Sequence, residues 1–290
     1  MVYTAECGGE VKLFMKVLDS EFAKDFIKLA DDGWKHGFHE RNGGNLSYRI
    51  KPEEVDEVKE DLDYTRDFTD IGTSVPKLSG EYFMVTGSGK YFSNVKSKPD
   101  ENCCLIEIDS TGTKYRIVWG LTKGGRPTSE LASHLMAHEV KKVATNGESR
   151  IINHCHPVNV IALTFVLPLD DKSFTRALWE SMTECPIIFG DGVGVIPWMV
   201  PGGMDIAIET SKKMQKYNVV VWAHHGIFCS GTTFDEVFGL ALTVEKSAEI
   251  YVKVASMSQT KLNTITNENF KQLCSLATDL GATISPEFLD

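Results

Sequence analysis

Three segments with strand character follow one another in the middle of the chain, and no long helical pattern separates them. They cover residues 82–86, 103–109 and 115–119, and Ser110-Thr111-Gly112 supplies a turn between the last two. Segments this close in sequence can pair directly as a hairpin-like meander. The pattern therefore predicts neighbouring paired strands and restricts the chain to folds that contain a sheet.

Helical patterns dominate the chain on both sides of these strands. Met15, Leu18, Phe22, Phe26 and Leu29 recur at spacings of three and four residues, which is the apolar stripe of an amphipathic helix. Strands mixed with long helices predict an α/β fold in which helices cover a central mixed sheet, a three-layer α/β/α arrangement. Further helices are predicted at residues 127–143, 158–167, 174–181, 205–217, 234–256 and 267–280, and further strands at residues 46–50, 151–156, 186–189, 193–198 and 219–223.

We expect a single domain over residues 1–290. A chain of 290 residues can form one large domain or two small ones, and no repeat, low-complexity tract or Pro/Ser-rich linker divides this sequence. The pattern is weakest over about residues 1–13, interpreted as an N-terminal extension, and over residues 51–78, interpreted as an acidic surface insertion with one helical turn.

Charge and cysteine usage narrow the class of protein. The formal net charge of −10 argues against a nucleic-acid binder, which would carry a basic face. The longest apolar run, residues 158–169, is too short to span a membrane and contains Asn159, Thr164 and Pro168. The N-terminal residues carry no signal-type apolar core, and the seven cysteines are scattered. We therefore expect reduced thiols and a cytoplasmic protein.

Two histidines stand two residues apart at the end of an apolar run. His154 and His156 follow Ile151-Ile152, and residues i and i+2 of a strand face the same side with Cα atoms roughly 6.5 Å apart. That spacing lets two imidazoles converge on one metal ion such as zinc, which takes nitrogen ligands at about 2.0–2.1 Å. Two half-buried histidines satisfied by backbone carbonyls would give the same motif, so the pair alone leaves both interpretations open.

A second pair of histidines ends another apolar strand. His224 and His225 follow residues 219–223, and strand ends at one edge of a sheet are common positions for functional sites in α/β proteins. Neighbours on a strand point to opposite faces, so only one of the two would reach a shared metal. The spacing does not decide which, and a buried histidine packed under the helix that begins near Phe234 is the alternative.

Other polar residues are candidates for catalysis or phosphate binding. Glu130 lies in the first turn of its predicted helix, where it is either a carboxylate that complements the helix dipole or a general base. Thr128 or Ser129 is the predicted N-cap of that helix. Gly87-Ser88-Gly89-Lys90 is not a P-loop, but its free amides and hydroxyl suit a phosphate. Asn42, Asn45, Thr128 and Ser129 offer the same kind of donor, with turn or cap chemistry as the alternative.

The remaining histidines are interpreted as structural. His134 and His138 are spaced i, i+4 on the predicted helix, but Leu135 stands where a His-Glu-x-x-His zinc site needs a glutamate. We take these two as surface or core residues of the helix. His36 and His39 lie in a loop-like turn and are also assigned to structure.

The order of these motifs resembles the class II aldolase/epimerase family, which also contains adducin-like proteins. The similarity extends over nearly the whole chain, from about Phe14 onward. The motifs that carry it are Asn42-Gly43-Gly44-Asn45-Leu46-Ser47, Val85-Thr86-Gly87-Ser88-Gly89-Lys90, Thr128-Ser129-Glu130, His154-Cys155-His156, Trp179-Glu180-Ser181-Met182-Thr183-Glu184-Cys185, the stretch 191–202 and His225-Gly226.

The resemblance implies a class II aldolase fold and a zinc-dependent lyase that acts on a small phosphorylated sugar. It assigns one Zn2+ per subunit to His154, His156 and His225, and the acid/base role to Glu130. It implies a homotetramer in which Glu184 reaches the site from a neighbouring subunit and handles the proton on the aldehyde side. The implied phosphate ligands are Asn42, Asn45, Ser88, Gly89, Thr128 and Ser129.

Two alternatives stay open within the resemblance. A pentulose-5-phosphate 4-epimerase would use a related cleavage, turn the bound aldehyde over and rejoin it. A non-catalytic scaffold like the adducin-like relatives is expected to lack the histidines, and all three positions are filled here.

Overall fold

The computed structural model describes residues 3–7, 10–258 and 260–289, with side chains from residue 15 onward. Helices cover both faces of an extended sheet. The strands are β1 Tyr3–Cys7, β2 Glu10–Phe14, β3 Asn45–Arg49, β4 Thr69–Asp70, β5 Tyr82–Thr86, β6 Cys103–Ile108, β7 Lys114–Gly120, β8 Ile151–Cys155, β9 Gly194–Ile196, β10 Val219–Trp222 and β11 Gly226–Gly231. The helices are α1 Glu21–Lys35, α2 Pro52–Val58, α3 Phe92–Val95, α4 Pro99–Asn102, α5 Leu131–Ala144, α6 Val158–Leu163, α7 Asp171–Trp179, α8 Cys185–Ile188, α9 Met204–Met214, α10 Phe234–Met257 and α11 Asn267–Asp279.

The main sheet has nine strands in the order β4-β7-β6-β5-β3-β8-β11-β10-β9. Strands β9 and β10 pair in parallel, and the other neighbours pair antiparallel. The predicted meander is present as β5, β6 and β7. The structure thus confirms the mixed sheet that the sequence predicts, and β1 and β2 form a separate two-stranded sheet.

The two faces of the sheet bury alternate residues of each strand, as the pleat requires. On β10, Val219 and Val221 join a large core that also contains residues of α1, α6 and α10. Val220 and Trp222 face the opposite layer, where α5 and α9 pack. This division confirms the three-layer α/β/α arrangement, and it makes the central strands apolar on both sides.

Two short elements differ from the prediction. Residues 186–189 were expected to form a strand, but Cys185–Ile188 is the short helix α8, which has a proline in its first turn. Proline at that position fits a helix because its fixed φ is helical and its missing N–H would have no partner there. Strand β11 was not predicted, because Gly226–Gly231 is short and begins and ends in glycine.

The start of α5 also differs from the prediction. The helix begins at Leu131 with Glu130 as N-cap residue, instead of at Thr128 or Ser129. The backbone N–H of Thr128 donates to the carbonyl of Thr86, and Pro127 forms a bridge with Gly87. The segment before α5 is therefore extended and hydrogen-bonded to the end of β5, so the helix begins only at Leu131.

Residues 51–78 are packed onto the rest of the fold. The segment contains α2 and β4, and β4 pairs with β7 at the edge of the main sheet. Val58, Val75 and Leu78 are completely buried. The predicted helical turn corresponds to α2, and the segment adds an edge strand that its weak periodicity did not indicate.

Two further observations concern the class of protein. None of the described helices combines the length and apolar character that crossing a membrane requires. Free thiols are present at Cys103, Cys104, Cys155, Cys185, Cys229 and Cys274, and all but Cys274 are buried.

Candidate functional site

His154 lies at the centre of the main sheet, on a strand flanked by β3 and β11. Its ring is buried between neighbouring aromatic rings and stacks on Phe228. Nδ1 lies 2.9 Å from the carbonyl oxygen of Ile227 and donates to it. Burial holds the pKa of His154 well below its usual range. The ring is therefore neutral, and its Nε2 carries a free lone pair that can bind a cation.

His156 follows the end of β8 and points to the same side as His154. Its Nε2 lies 3.3 Å from Nε2 of His154. Its Nδ1 lies 2.8 Å from a carboxylate oxygen of Glu40, in the turn before β3. A carboxylate on the far nitrogen of a metal-binding histidine fixes the tautomer and the ring orientation.

The β10–β11 hairpin turn separates the two neighbouring histidines. His224 has a φ of +62°, and its Nδ1 lies 3.2 Å from the hydroxyl of Thr164. His225 turns the other way and places its Nε2 3.3 Å from Nε2 of His154. Gly226 comes next, where a Cβ atom would collide with the carbonyl oxygen of Cys155. Glycine at this position therefore lets the turn approach β8 closely enough for His225 to meet the other two histidines.

The three histidines fit a divalent metal. Their candidate ligand atoms all lie within 4.8 Å of one another. Nitrogen ligands at about 2.0–2.1 Å from a tetrahedral zinc stand about 3.3–3.4 Å apart, and both shortest Nε2 separations in the cluster are 3.3 Å. A site with three protein ligands keeps a position open for substrate, which is typical of catalytic zinc.

Glu130 is directly beside this cluster. Its Oε2 lies 3.5 Å from Nε2 of His154 and accepts a hydrogen bond of 2.8 Å from Nδ2 of Asn45. The side chain is 8% exposed. Burial raises the pKa of Glu130, and the hydrogen bond from Asn45 opposes that rise. A buried carboxyl with a raised pKa is suited to exchanging a proton near neutral pH.

One cavity of about 320 Å³ connects the histidines with the predicted phosphate donors. Its wall contains amides, hydroxyls, imidazoles and the carboxylate of Glu130. The backbone N–H of Ser88 donates to the carbonyl of Arg126, so the glycine-rich loop after β5 is tied to the segment that precedes α5. The lining residues are Asn42, Gly43, Gly44, Asn45, Gly87, Ser88, Gly89, Thr128, Ser129, Glu130, His154, His156, Pro201 and His225.

The structure thus brings together every predicted site residue except Glu184. Glu184 is exposed and precedes α8, and within this one chain it does not line the cavity. This placement leaves its carboxylate accessible to another molecule.

Sequence reasoning missed some polar residues around the cavity. Glu40 stands two residues before the motif that begins at Asn42, but its contact with His156 joins residues 116 positions apart. Ser47, His134 and His138 form a buried hydrogen-bonded chain beneath Asn45. The i, i+4 spacing of the two histidines was the available signal for that chain, because it places both on one face of α5.

Comparisons with known proteins show the family of the chain. A family model described as "Class II Aldolase and Adducin N-terminal domain" matches residues 24–252. Rhamnulose-1-phosphate aldolase of Yersinia pestis (strain Pestoides F) is 46% identical over 274 residues, which cover 94% of this chain and 98% of that protein. The same percentages hold for rhamnulose-1-phosphate aldolase of Yersinia pseudotuberculosis serotype O:3 (strain YPIII).

Solved structures extend the comparison to the fold. A sugar-phosphate aldolase from Thermotoga maritima aligns with a TM-score of 0.71 at 26% identity, over 84% of this chain and 98% of that chain. An L-fuculose 1-phosphate aldolase aligns with a TM-score of 0.58 at 19% identity, over 90% of this chain and 97% of that chain. Given the matched family model and the 46% identical relative over nearly the full length, this chain belongs to the class II aldolase and adducin family.

Proposed function

We propose that this protein is a zinc-dependent aldolase that reversibly cleaves L-rhamnulose 1-phosphate to dihydroxyacetone phosphate and L-lactaldehyde. The placement of Glu130 carries the proposal: its carboxylate lies 3.5 Å from His154, in the same cavity as the histidine cluster and the phosphate donors. The 46% identity with rhamnulose-1-phosphate aldolases supports the choice of substrate. The reaction belongs to rhamnose catabolism, and we place it in the cytoplasm.

The three-histidine cluster is the proposed metal site. His154, His156 and His225 would hold one Zn2+ per subunit through nitrogen atoms that already converge. The metal supplies Lewis-acid stabilisation of the negative charge that develops on substrate oxygen atoms during cleavage. Glu40 keeps His156 oriented through its contact with Nδ1.

Glu130 is the proposed acid/base at carbon 3. In cleavage, the hydroxyl on carbon 4 loses its proton, the bond between carbons 3 and 4 breaks, and lactaldehyde leaves. The electron pair of that bond remains with the three-carbon fragment, and Glu130 returns a proton to carbon 3 to give dihydroxyacetone phosphate. In synthesis Glu130 removes the same proton. Because its pKa is raised, Glu130 can donate this proton in cleavage and accept it in synthesis.

The loops around the cavity are the proposed phosphate site. Asn42, Asn45, Ser88, Gly89, Thr128 and Ser129 line the cavity. Side-chain amides and hydroxyls of this kind bind a phosphate without a P-loop, whereas the backbone N–H groups of Ser88 and Thr128 already donate to the carbonyls of Arg126 and Thr86. Binding of the phosphate holds the reacting carbons in position, and this positioning raises the rate of cleavage.

Glu184 is the proposed acceptor or relay for the proton of the carbon 4 hydroxyl. Its exposed position ahead of α8 suits a residue that serves a neighbouring subunit. This role requires an oligomer, and we propose a homotetramer in which each site combines Glu130 of one subunit with Glu184 of the next.

Release of dihydroxyacetone phosphate tests the proposal. Purified protein loaded with Zn2+ is given rhamnulose 1-phosphate, and a reductase that consumes dihydroxyacetone phosphate reports product through NADH absorbance. We expect steady NADH oxidation that a chelator abolishes, and a rate lower by about 100-fold or more with Glu130→Gln. An epimerised sugar phosphate without released dihydroxyacetone phosphate would instead establish the epimerase alternative. The same assay with fuculose 1-phosphate tests the alternative of a related sugar-phosphate aldolase.

A further inference from the structure

A chain of hydrogen bonds runs from Glu130 into the core and ends at two buried histidines. Asn45 Nδ2 donates to Glu130 Oε2 over 2.8 Å, and Asn45 Oδ1 contacts Nε2 of His134. The hydroxyl of Ser47 lies 2.5 Å from Nδ1 of His134 and 2.8 Å from Nε2 of His138. Both histidine rings are completely buried, and Ser47 is 1% exposed.

The direction of every bond in this chain follows from Glu130. A carboxylate only accepts, so Asn45 must present its NH2 group to it and its carbonyl oxygen to His134. Nε2 of His134 must then carry the hydrogen. Burial lowers the pKa of His134 to about 3, so the ring is neutral and its Nδ1 has no hydrogen.

The remaining hydrogen bonds, at Ser47 and His138, complete this assignment of hydrogen positions. Nδ1 of His134 accepts the hydroxyl hydrogen of Ser47, and the oxygen of Ser47 accepts from Nε2–H of His138. Nδ1 of His138 is then without a hydrogen, and it is one of the buried side-chain atoms without a hydrogen-bond partner in the described structure. The atom left without a partner is thus an acceptor, while the ring N–H groups of both histidines and the hydroxyl hydrogen of Ser47 each have a partner.

We propose that His134 is a positioning residue for the reaction: it fixes the side-chain amide of Asn45 so that Nδ2 faces Glu130 and holds its carboxylate against the metal site. An Asn45 amide that turned by half a rotation would place its oxygen against the carboxylate and repel it. His134 prevents this rotation, since Nε2–H can donate only to the amide oxygen. The proposal rests on the proposed function of Glu130.

The test compares two substitutions at His134. His134→Leu removes the donor, and we expect kcat to fall about 10–100-fold, because a small misplacement of a reacting group can cost about 100-fold. KM for rhamnulose 1-phosphate should rise by a smaller factor, since Asn45 is one of six residues of the proposed phosphate site. His134→Gln keeps an N–H that can reach Asn45, and we expect it to recover most of that loss. Zinc content should equal that of the wild-type protein in both variants.

A double-mutant cycle separates positioning from general damage to the core. If His134 acts through Glu130, adding His134→Leu to Glu130→Gln should not further reduce the residual rate of cleavage. Leu135→Ala is the control, because Leu135 is completely buried on the same helix but takes no part in these hydrogen bonds. It should lower stability and leave kcat near the wild-type value. An equal loss of kcat from Leu135→Ala, or an additive loss in the double variant, would overturn the proposal.

Failure of this inference can be told from failure of the proposed function. Exchange of the carbon 3 proton of dihydroxyacetone phosphate in D2O reports on Glu130 alone. If Glu130→Gln leaves exchange unchanged, the proposed function of Glu130 is wrong. If Glu130→Gln abolishes exchange and His134→Leu does not slow it, only the positioning role is wrong. Should the His134 variants not fold, Ser47→Ala removes the hydroxyl that holds the His134 ring through Nδ1, and an unchanged kcat there overturns the inference equally.

Discussion

The carboxylate of Glu40 lies 2.8 Å from Nδ1 of His156, on the side of the ring away from the other two histidines. The contact places a negative charge behind one member of the three-histidine cluster. The ring therefore keeps Nε2 free and directed at His154, 3.3 Å away. Glu40 thus orients His156 in the same way as the carbonyl oxygen of Ile227 orients His154.

Glu40→Gln should weaken metal binding and leave the fold intact. Loss of a carboxylate behind a histidine ligand typically costs 10–100-fold in affinity, and we expect about 10-fold because Glu40 is 68% exposed. Competition with a chromophoric zinc chelator measures the change. Glu21→Gln, at a carboxylate that is 85% exposed and far from the cluster in sequence, is the control. Unchanged affinity in Glu40→Gln would refute the role.

The two neighbouring histidines of the β10–β11 turn should differ in their effect on metal content. His225→Ala removes one of the three converging nitrogen atoms, so we expect purified protein with far less than one zinc per chain. His224→Ala removes a ring that contacts Thr164 and Phe165 outside the cluster, and it should keep its zinc. Elemental analysis distinguishes the two variants, and the reverse result would move the ligand to His224.

Gly226→Ala should displace the turn that carries His225. The added Cβ would meet the carbonyl oxygen of Cys155 and would stand 2.9 Å from Cδ2 of His156. We expect a loss of about 1–3 kcal/mol in the free energy of unfolding, typical of overpacking, together with reduced zinc content. Gly239→Ala is a matched control in α10, because an added Cβ there meets nothing within 4 Å. It should stabilise the protein by roughly 0.5–1 kcal/mol, and equal behaviour of the two variants would contradict the argument.

Local patterns in the sequence predict the strand that carries His154 and ends next to His156, because a two-residue repeat fixes which side chains share a face. The same rule could not choose between His224 and His225. That choice depends on a left-handed φ at His224 and on a strand, β11, that contains too few alternating residues to be recognised. Residue spacing alone does not predict a turn conformation that depends on tertiary packing.

The buried polar chain shows a second limit of sequence reasoning. Ser47 and His134 are 87 residues apart and meet only because β3 lies beneath α5. The spacing of His134 and His138 is that of ordinary buried residues on one face of a helix. Only their hydrogen-bond partners show that they belong to a polar network. The resemblance to a family predicts which residues line the cavity, but it gives no information about the buried polar residues behind them.

Glu130→Gln should stabilise the metal-free protein at neutral pH. Burial raises the pKa of Glu130 above its ordinary value of 4.5, so the folded chain binds this proton more tightly than the unfolded chain. The favourable contribution is fully present below pH 4.5 and is lost as the pH rises through the raised pKa. Urea unfolding of chelator-treated protein should therefore show the variant more stable at pH 7, with the difference shrinking toward pH 4.5.

An exposed carboxylate provides the control for this pH dependence. Glu268 is 76% exposed, and Glu268→Gln should change stability little at either pH. If Glu130→Gln is less stable than the wild-type protein at pH 7, the ionised carboxylate contributes favourable interactions that outweigh its burial, and the argument for a raised pKa fails.

Glu184→Ala should abolish most cleavage without affecting the fold, because its side chain is exposed. The proposed oligomer makes a sharper prediction. Assemblies made only of Glu184→Ala subunits or only of Glu130→Gln subunits have little activity, but a mixed assembly contains sites that combine an intact Glu130 with an intact Glu184 of the neighbour. Random mixing should restore about a quarter of wild-type activity. Separately tagged subunits that are unfolded and refolded together provide the measurement, and the absence of any recovery in verified mixed assemblies would place Glu184 outside the shared site.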